Sequence, residues 1–198
     1  IGIDNNLRKL FFGKNCSTVW LKSQLLKRNK NFKNNNIDIR NLVGLEKIFK
    51  KYAKSISVII HCAAQPSHDY GKNHPFLDFN VNATGTLNLL ELTKKYSPHA
   101  PFIFMSTNKV YGDNPNNLKL VEKKTRWELK KSDKHYRGIK ENFSIDNATH
   151  SFFGVSKTYA DLIVQEYGKN VGLKTVCFRA GCITGPNHSG TNLHGFLS

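Results

Sequence analysis

Apolar and polar positions follow two different periods along the chain. Ser57 to Cys62 is a short continuous apolar run, the pattern of a strand covered on both faces. Phe102 to Met105 and Thr175 to Arg179 read the same way, and Ile1 to Asp4 reads as the end of a strand. Between these runs the spacing becomes helical. Leu42, Leu45, Phe49 and Tyr52 form one apolar stripe, with the helix expected to end near Lys54-Ser55. From Pro75 to Tyr96, Leu77, Val81, Leu89 and Leu92 follow one side while Phe79, Ala83, Leu87 and Leu90 follow another, so this helix is expected to be largely buried. Phe153 to Val171 is again helical, with Val155, Tyr159, Leu162, Ile163 and Tyr167 as the expected core stripe. Asp113 to about Ser151 shows neither period and reads as irregular.

Alternating strands and helices predict an α/β fold: a Rossmann-like doubly wound parallel sheet with helices on both faces. No linker, repeat or low-complexity stretch interrupts the pattern, so residues 1–198 read as a single domain. Ligands of such sheets lie outside the carboxyl ends of the strands. The residues expected at those ends are Asp4-Asn5-Asn6, Asp38-Ile39, Ala63-Ala64-Gln65-Pro66, Ser106-Thr107-Asn108 and Ala180-Gly181-Cys182, all small, polar or acidic apart from Ile39 and Pro66.

Composition narrows the partners. The longest apolar runs are strand-sized, so no membrane span is expected. Lys and Arg number 30 against 14 Asp and Glu, a net charge of +16. The basic residues are scattered as short pairs such as Lys27-Arg28, Lys94-Lys95 and Lys130-Lys131 among many Asn, with no zinc-finger spacing or stacking motif, so nucleic acid is not an expected partner. Cys16, Cys62, Cys177 and Cys182 have no paired spacing and are expected as reduced thiols of a cytoplasmic protein. His61, Cys62 and His68 are close in sequence, but neighbours on a strand point to opposite faces, and no metal site is expected.

One succession of motifs is specific. Gly2-Ile3-Asp4-Asn5-Asn6, Asp38-Ile39-Arg40, His61-Cys62-Ala63-Ala64, Asn82-x-x-Gly85-Thr86-x-Asn88-Leu89-Leu90-Glu91, Ser106-Thr107-x-x-Val110-Tyr111-Gly112, Phe153-Gly154-x-Ser156-Lys157 and Gly185-Pro186 follow one another in order. Together they resemble the extended short-chain dehydrogenase/reductases, and within them the NAD-dependent nucleotide-sugar epimerase/dehydratases. Gln65-Pro66-Ser67-His68 and Ser106 to Asp113 are most similar to the CDP-paratose 2-epimerase branch. The resemblance covers essentially the whole chain. It implies an NAD cofactor, a nucleotide-sugar substrate, and pairing into a homodimer through the helices from Pro75 and Phe153. It also places a first strand with a G-x-x-G-x-x-G turn before Ile1 and a smaller substrate region after Ser198, so the chain is expected to be truncated at both ends.

The resemblance assigns roles residue by residue. Asp4, at a strand end, accepts from the adenosine ribose hydroxyls and favours NAD over NADP; a turn-capping carboxylate is the other reading. Asp38 meets the adenine edge and Ile39 packs on the ring. Asn5, Asn6, Cys62, Ala63, Ala64, Gln65, Ser106, Lys157 and Ala180 complete the expected cofactor site. Asn82 is mid-helix between apolar faces, where its amide needs partners, as a bridge between strand and helix or as part of the catalytic set. Thr107 corresponds to the family residue that hydrogen-bonds the sugar hydroxyl, and Lys157 to the one that binds the nicotinamide ribose and lowers the pKa of a Tyr four residues earlier. Here that position is Phe153. The general-base hydroxyl is missing, and His150 and Cys182 are the equal first choices to replace it, with Tyr136, Asp146 and Tyr111 behind them. Epimerisation is therefore the leading expectation. Dehydration or reduction, and a catalytically silent binding module, are its competitors.

Overall fold

The structure, a computed structural model, describes residues 1–188; the remainder of the expected single domain lies outside the described residues. In chain order the elements are β1 (Gly2–Ile3), α1 (Leu7–Phe12), α2 (Val19–Arg28), β2 (Asn34–Asn35), α3 (Leu42–Tyr52), β3 (Ile59–His61), α4 (His68–Asn73), α5 (Pro75–Phe79), α6 (Gly85–Tyr96), β4 (Phe102–Thr107), β5 (Leu120–Glu122), β6 (Trp127–Leu129), α7 (Ser151–Lys169) and β7 (Thr175–Ala180). The α/β alternation is as expected, and β1–β2, β3–β4 and β4–β7 all pair in parallel. Within the segment read as irregular, β5 and β6 form a small antiparallel pair.

The parallel strands divide into two sheets, β1-β2 and β3-β4-β7, where one continuous sheet was expected. β1 and β3 flank an apolar slot of about 460 Å³, lined by Ile1, Ile3, Ile56, Val58, Ile59 and Ile60 among others. That opening corrects the reading of Ser57 to Cys62: the strand is only Ile59–His61, and Ile60 is 61% exposed. Pairing orders just the stretch that faces β4, because nothing pairs its other edge among the described residues.

The core packs against β3-β4-β7 and reaches the slot through Phe49 and Leu89. Phe102 and Phe104 of β4 point into it and meet Leu45 and Phe49 of α3, Leu89, Leu90 and Leu92 of α6, and Ala160 and Val164 of α7. Asn41 caps α3 by accepting from the Gly44 amide at 2.9 Å. The predicted Pro75–Tyr96 helix is α5, a wide π-helical turn over Asn80–Thr84, and α6. Gly85 lets this helix approach the Asp38-Ile39 turn, since a Cβ there would come within 2.4 Å of Ile39 Cδ1.

α7 departs most from its pattern. Val155, Tyr159 and Leu162, read as core, are exposed, while the buried face carries Phe153, Gly154, Ser156, Lys157, Ala160, Asp161, Val164 and Tyr167. Three of these are polar or charged residues. Their hydrogen bonds supply the partners that burial requires, which hydrophobic spacing cannot reveal.

Candidate functional site

The carboxyl ends of β1 and β3 open onto a cavity of about 250 Å³. Asp4, Asn5, Asp38, Ile39, Cys62, Ala63 and Ala64, drawn from three separate segments, all line it, with Arg8 and Thr18 added from α1 and the start of α2. Asp4 Oδ1 accepts from the Asn6 amide at 2.8 Å and from Thr18 Oγ1 at 3.2 Å. Asp38 is held by Arg40 through Nε at 2.9 Å and Nη2 at 2.7 Å, and by Asn5 Nδ2 at 2.8 Å. The Arg40 bond is the main reason that the Asp38 carboxyl stays below its ordinary range. Asn6 is not a wall of this cavity. Its backbone is left-handed at φ 58 and its side chain bonds Ser17 and the Thr18 amide, tying the turn between β1 and α1 to the start of α2.

A second set of groups gathers where β4, β7 and α7 meet. Thr107 and Ala180 are register partners at the ends of β4 and β7. Thr107 Oγ1 accepts from the Lys109 amide at 3.2 Å, which starts the Asn108–Tyr111 turn. Lys157 is 4% exposed, donates from Nζ to the Met105 carbonyl at 2.8 Å and lies 4.2 Å from the centre of the Phe104 ring. Burial pushes its ammonium down to about 8, against the charge of Asp161. Phe153 is buried one helical turn before Lys157, as the spacing predicts.

Two of the predicted cofactor residues are bonded within the frame. Ser106 Oγ donates to Asp161 Oδ2 at 2.5 Å, and the Gln65 side chain donates to the Ser67 carbonyl at 2.8 Å and to Asp78 Oδ1 at 2.5 Å. The structure also separates the candidates for the missing base. His150 points Nδ1 at the Lys109 carbonyl, 3.2 Å, and Nε2 at the Ile145 carbonyl, 2.9 Å. Both ring nitrogens are thus occupied by backbone carbonyls on either side of the ring. Cys182 is exposed on the loop after β7, Tyr136 and Asp146 are exposed, and the Tyr111 hydroxyl accepts from Arg179 Nη1 at 3.1 Å.

Sequence reasoning missed three features here. Asp161 forms a two-pronged pair with Arg179, Nη2 to Oδ1 at 2.8 Å and Nε to Oδ2 at 3.1 Å. Burial alone would raise the Asp161 carboxyl, but Arg179 and Ser106 hold it below its ordinary range. His68 lays its ring against Phe153, centroids 4.8 Å apart, with Nδ1 2.8 Å from Ser151 Oγ. Asp78 is buried with Gln65, Asn82 and Ser156. For Asp161 the available signal was the spacing of the polar residues Ser156, Lys157 and Asp161, which lie at helical intervals on the face that α7 buries.

Asn82 itself is fully engaged. Its Oδ1 accepts from the Gln65 amide at 2.9 Å and its Nδ2 donates to the Gln65 carbonyl at 3.1 Å and to Ser156 Oγ at 3.0 Å. The N–H and the C=O of Gln65 are thereby both tied to the π-helical turn, so Asn82 bridges the loop after β3 and the helix. Among the described residues no cluster of His, Cys, Asp or Glu could hold a metal ion, and no helix is long and apolar enough to cross a membrane.

Known proteins match this arrangement. The family model for the NAD dependent epimerase/dehydratase family matches residues 6–198. The CDP-paratose 2-epimerase of Salmonella typhi is 34% identical over 197 residues, covering 100% of this chain and 54% of that protein. The UDP-glucuronate 4-epimerase of Thermodesulfobacterium geofontis is 41% identical over 91 residues, 46% of this chain and 27% of that protein. Among solved structures, the NAD complex of dTDP-glucose 4,6-dehydratase from Bacillus anthracis aligns with a TM-score of 0.59 at 27% identity, over 83% of this chain and 43% of that one. The NAD complex of UDP-glucose 4-epimerase from Thermus thermophilus aligns at 0.62 and 24% identity, over 100% and 59%. The chain thus spans about half the length of the Salmonella relative. With a family model over nearly all of its length and a Rossmann-like α/β fold to match, the chain belongs to the NAD-dependent epimerase/dehydratase family.

Proposed function

We propose that the protein holds NAD and epimerises a nucleotide-activated deoxysugar through a transient keto sugar, in the manner of a CDP-paratose 2-epimerase. The observation that carries this reading is the cavity at the ends of β1 and β3, where Asp4, Asn5, Asp38, Ile39, Cys62, Ala63 and Ala64 converge from distant segments. Those residues suit an adenosine: a strand-end carboxylate for ribose hydroxyls, an apolar side chain for the ring, and small residues where the backbone must come close. The apolar slot between β1 and β3 is the seat of the strand and glycine turn that complete the sheet. NAD, when bound, supplies the hydride acceptor and donor. Lys157 then orients the nicotinamide ribose and Thr107 hydrogen-bonds the sugar hydroxyl. The free thiols of Cys62, Cys177 and Cys182 suit a reducing cytoplasm.

One observation favours a second reading. Phe153 places an aromatic ring without a hydroxyl one turn from Lys157, which suits a protein that binds NAD and a nucleotide sugar without turnover. Incubating the intact protein with CDP-, UDP- and dTDP-sugars and following epimer formation by NMR decides between the two. Binding without any product would replace the epimerase reading by the binding module. The exposed apolar residues of α7, Val155, Tyr159 and Leu162, with Phe79 ring-packed on Tyr159 at 5.8 Å, support a homodimer through α5 and α7. Sedimentation of the intact protein tests it, and a monomer at all concentrations would refute it.

A further inference from the structure

Asp78 is a buried carboxylate held by hydrogen bonds, with the charges of His68 and Lys157 acting on it through space. It is 1% exposed, and the salt bridges of the structure involve other acids. Its partners are three neutral groups from three segments. Oδ1 accepts from Gln65 Nε2 at 2.5 Å and from Asn82 Nδ2 at 3.4 Å, and Oδ2 accepts from Ser156 Oγ at 2.5 Å. The backbone is shaped around this carboxylate: a Cβ on Gly71 of α4 would come within 2.8 Å of Asp78 Oδ1.

Burial of a carboxylate costs stability, and desolvation is the largest influence on Asp78, so a role in positioning would offset that cost. The geometry supplies such a role. Ser156 precedes Lys157 in α7, and Gln65 follows Ala63-Ala64 on the cavity wall. Asp78 therefore ties the loop of the cofactor cavity to the helical turn that presents positions 153 and 157, beside Asn82, which bonds the same two residues. The other acid in the lysine's surroundings, Asp161, is already engaged by Arg179.

We propose that Asp78 is a positioning residue: by bonding Ser156 and Gln65 together it sets where the Lys157 ammonium stands relative to the cofactor loop. The charged and titratable groups that face Lys157 are Asp161 of its own helix, Asp78 of α5, His61 and Cys62 at the end of β3, and Cys177 of β7. Only Asp78 among them bonds both the helix and the loop. The proposal rests on the NAD-binding reading for its functional consequence but not for its geometry.

The bonding pattern makes a discriminating variant available. In Asp78→Asn the amide oxygen still accepts from Gln65, and its nitrogen donates to Ser156 Oγ, whose own hydrogen turns to the Phe153 carbonyl 3.0 Å away. Asp78→Ala removes every bond. The experiment uses the intact protein, with calorimetric NAD affinity and the Lys157 side-chain NMR resonance as readouts. Asp78→Ala is expected to weaken NAD binding about 10-fold and to move the Lys157 resonance, while Asp78→Asn restores both towards wild type. Equal losses in the two variants would overturn the proposal, because charge and not positioning would then be the cause. No change in either variant would overturn it as well. If Asp78→Ala does not fold, Ser156→Ala takes its place, cutting the same tie from the helix side. Failure of wild type to bind NAD would refute the functional reading alone, and the resonance would still decide the role of Asp78.

Discussion

β4 and β7 share six register pairs, the Asp161–Arg179 pair joins α7 to β7 and the Asp78–Ser156 contact joins α5 to α7, whereas β1 and β2 share two register pairs and neither α1 nor α2 has a buried residue. The first region is a frame whose polar groups satisfy one another at fixed distances. The second holds a cavity wall in place with short turns, and its sheet edge faces an open slot. The contrast teaches a division of labour. The half expected to carry the chemistry is organised by its own side chains, and the half expected to carry the adenosine is held by short turns beside an open slot.

The largest expected effect lies in the frame. Arg179→Ala leaves the Asp161 carboxylate, 0% exposed, with only Ser106 and Gln165 as side-chain partners. Breaking a buried pair from one side costs about 3–5 kcal/mol, and chemical denaturation of the intact protein measures it. The matching pair on the other side, Arg40–Asp38, is partly exposed, so Arg40→Ala is expected to cost about 1 kcal/mol or less. Similar losses in both would erase the contrast between the two regions.

Acid should also strike the frame first. His61 is buried with Nε2 2.8 Å from Thr86 Oγ1, and burial, with the Lys157 charge, pushes its pKa down from 6.5 to about 3. Between those values the unfolded chain binds a proton that the folded one does not, so stability falls as pH falls through that window. Thermal unfolding followed from about pH 7 to about pH 4 should show this slope in wild type, and His61→Gln, which does not titrate, should flatten it. An unchanged slope would remove His61 as its source.

Phe153→Tyr tests the chemistry of the frame directly. The new hydroxyl lies one turn from a lysine that burial holds near 8, the arrangement that favours a phenolate. If the protein is an epimerase working without that hydroxyl, turnover should rise by roughly 10- to 100-fold, within the range of one general base. Steady-state kinetics on both proteins give the answer, and a fall in rate with NAD affinity unchanged would mean that the ring contact between His68 and Phe153 matters more than the missing oxygen.

Much of this frame was legible as elements and little of it as contacts. The strands at Phe102 and Thr175 and the helices at Leu42, Pro75 and Phe153 follow from periodicity, because each repeats a local spacing. The Asp4, Asp38 and Ala63-Ala64 ends were legible too, since a parallel sheet gathers its strand ends on one side. The partners of Ser106, Gln65 and Asp78 were not. Ser106 bonds a residue 55 positions away and Ser156 one 78 positions away, and no local pattern encodes such a distance. α7 was misread for the same reason: its apolar stripe at Val155, Tyr159 and Leu162 is genuine but faces outward, while the buried face is polar and satisfied. The divided sheet could not be read from the strands themselves, because strand pattern reports an element's character and not its neighbour.

On the cavity side the effects shrink. Asp4→Ala should weaken NAD binding by about 10-fold, the scale of one charge-assisted bond, while leaving unfolding nearly unchanged, because the residue is exposed at a strand end. Calorimetry with NAD and NADP reads both affinity and preference, and equal affinity of wild type for the two would sink the assignment of Asp4 to the ribose.

The smallest effect is expected where the contrast is sharpest. Leu10 of α1 is 63% exposed and Leu26 of α2 is 46% exposed, so polar replacements there remove little from any core. Leu10→Ser and Leu26→Ser should each change the stability of the intact protein by about 0.5 kcal/mol or less, the usual range for surface positions. Denaturation curves set beside Leu45→Ala in α3, which empties a site at 0% exposure and should cost about 2–5 kcal/mol, make the scale internal to the experiment. A large loss from Leu10→Ser would mean that α1 packs against something in the intact protein, and the weakness of the adenosine side would then belong to this stretch of chain and not to the working molecule. A small loss, with the frame variants costly, would establish that the cavity wall is held by turns and by ligand more than by a core of its own.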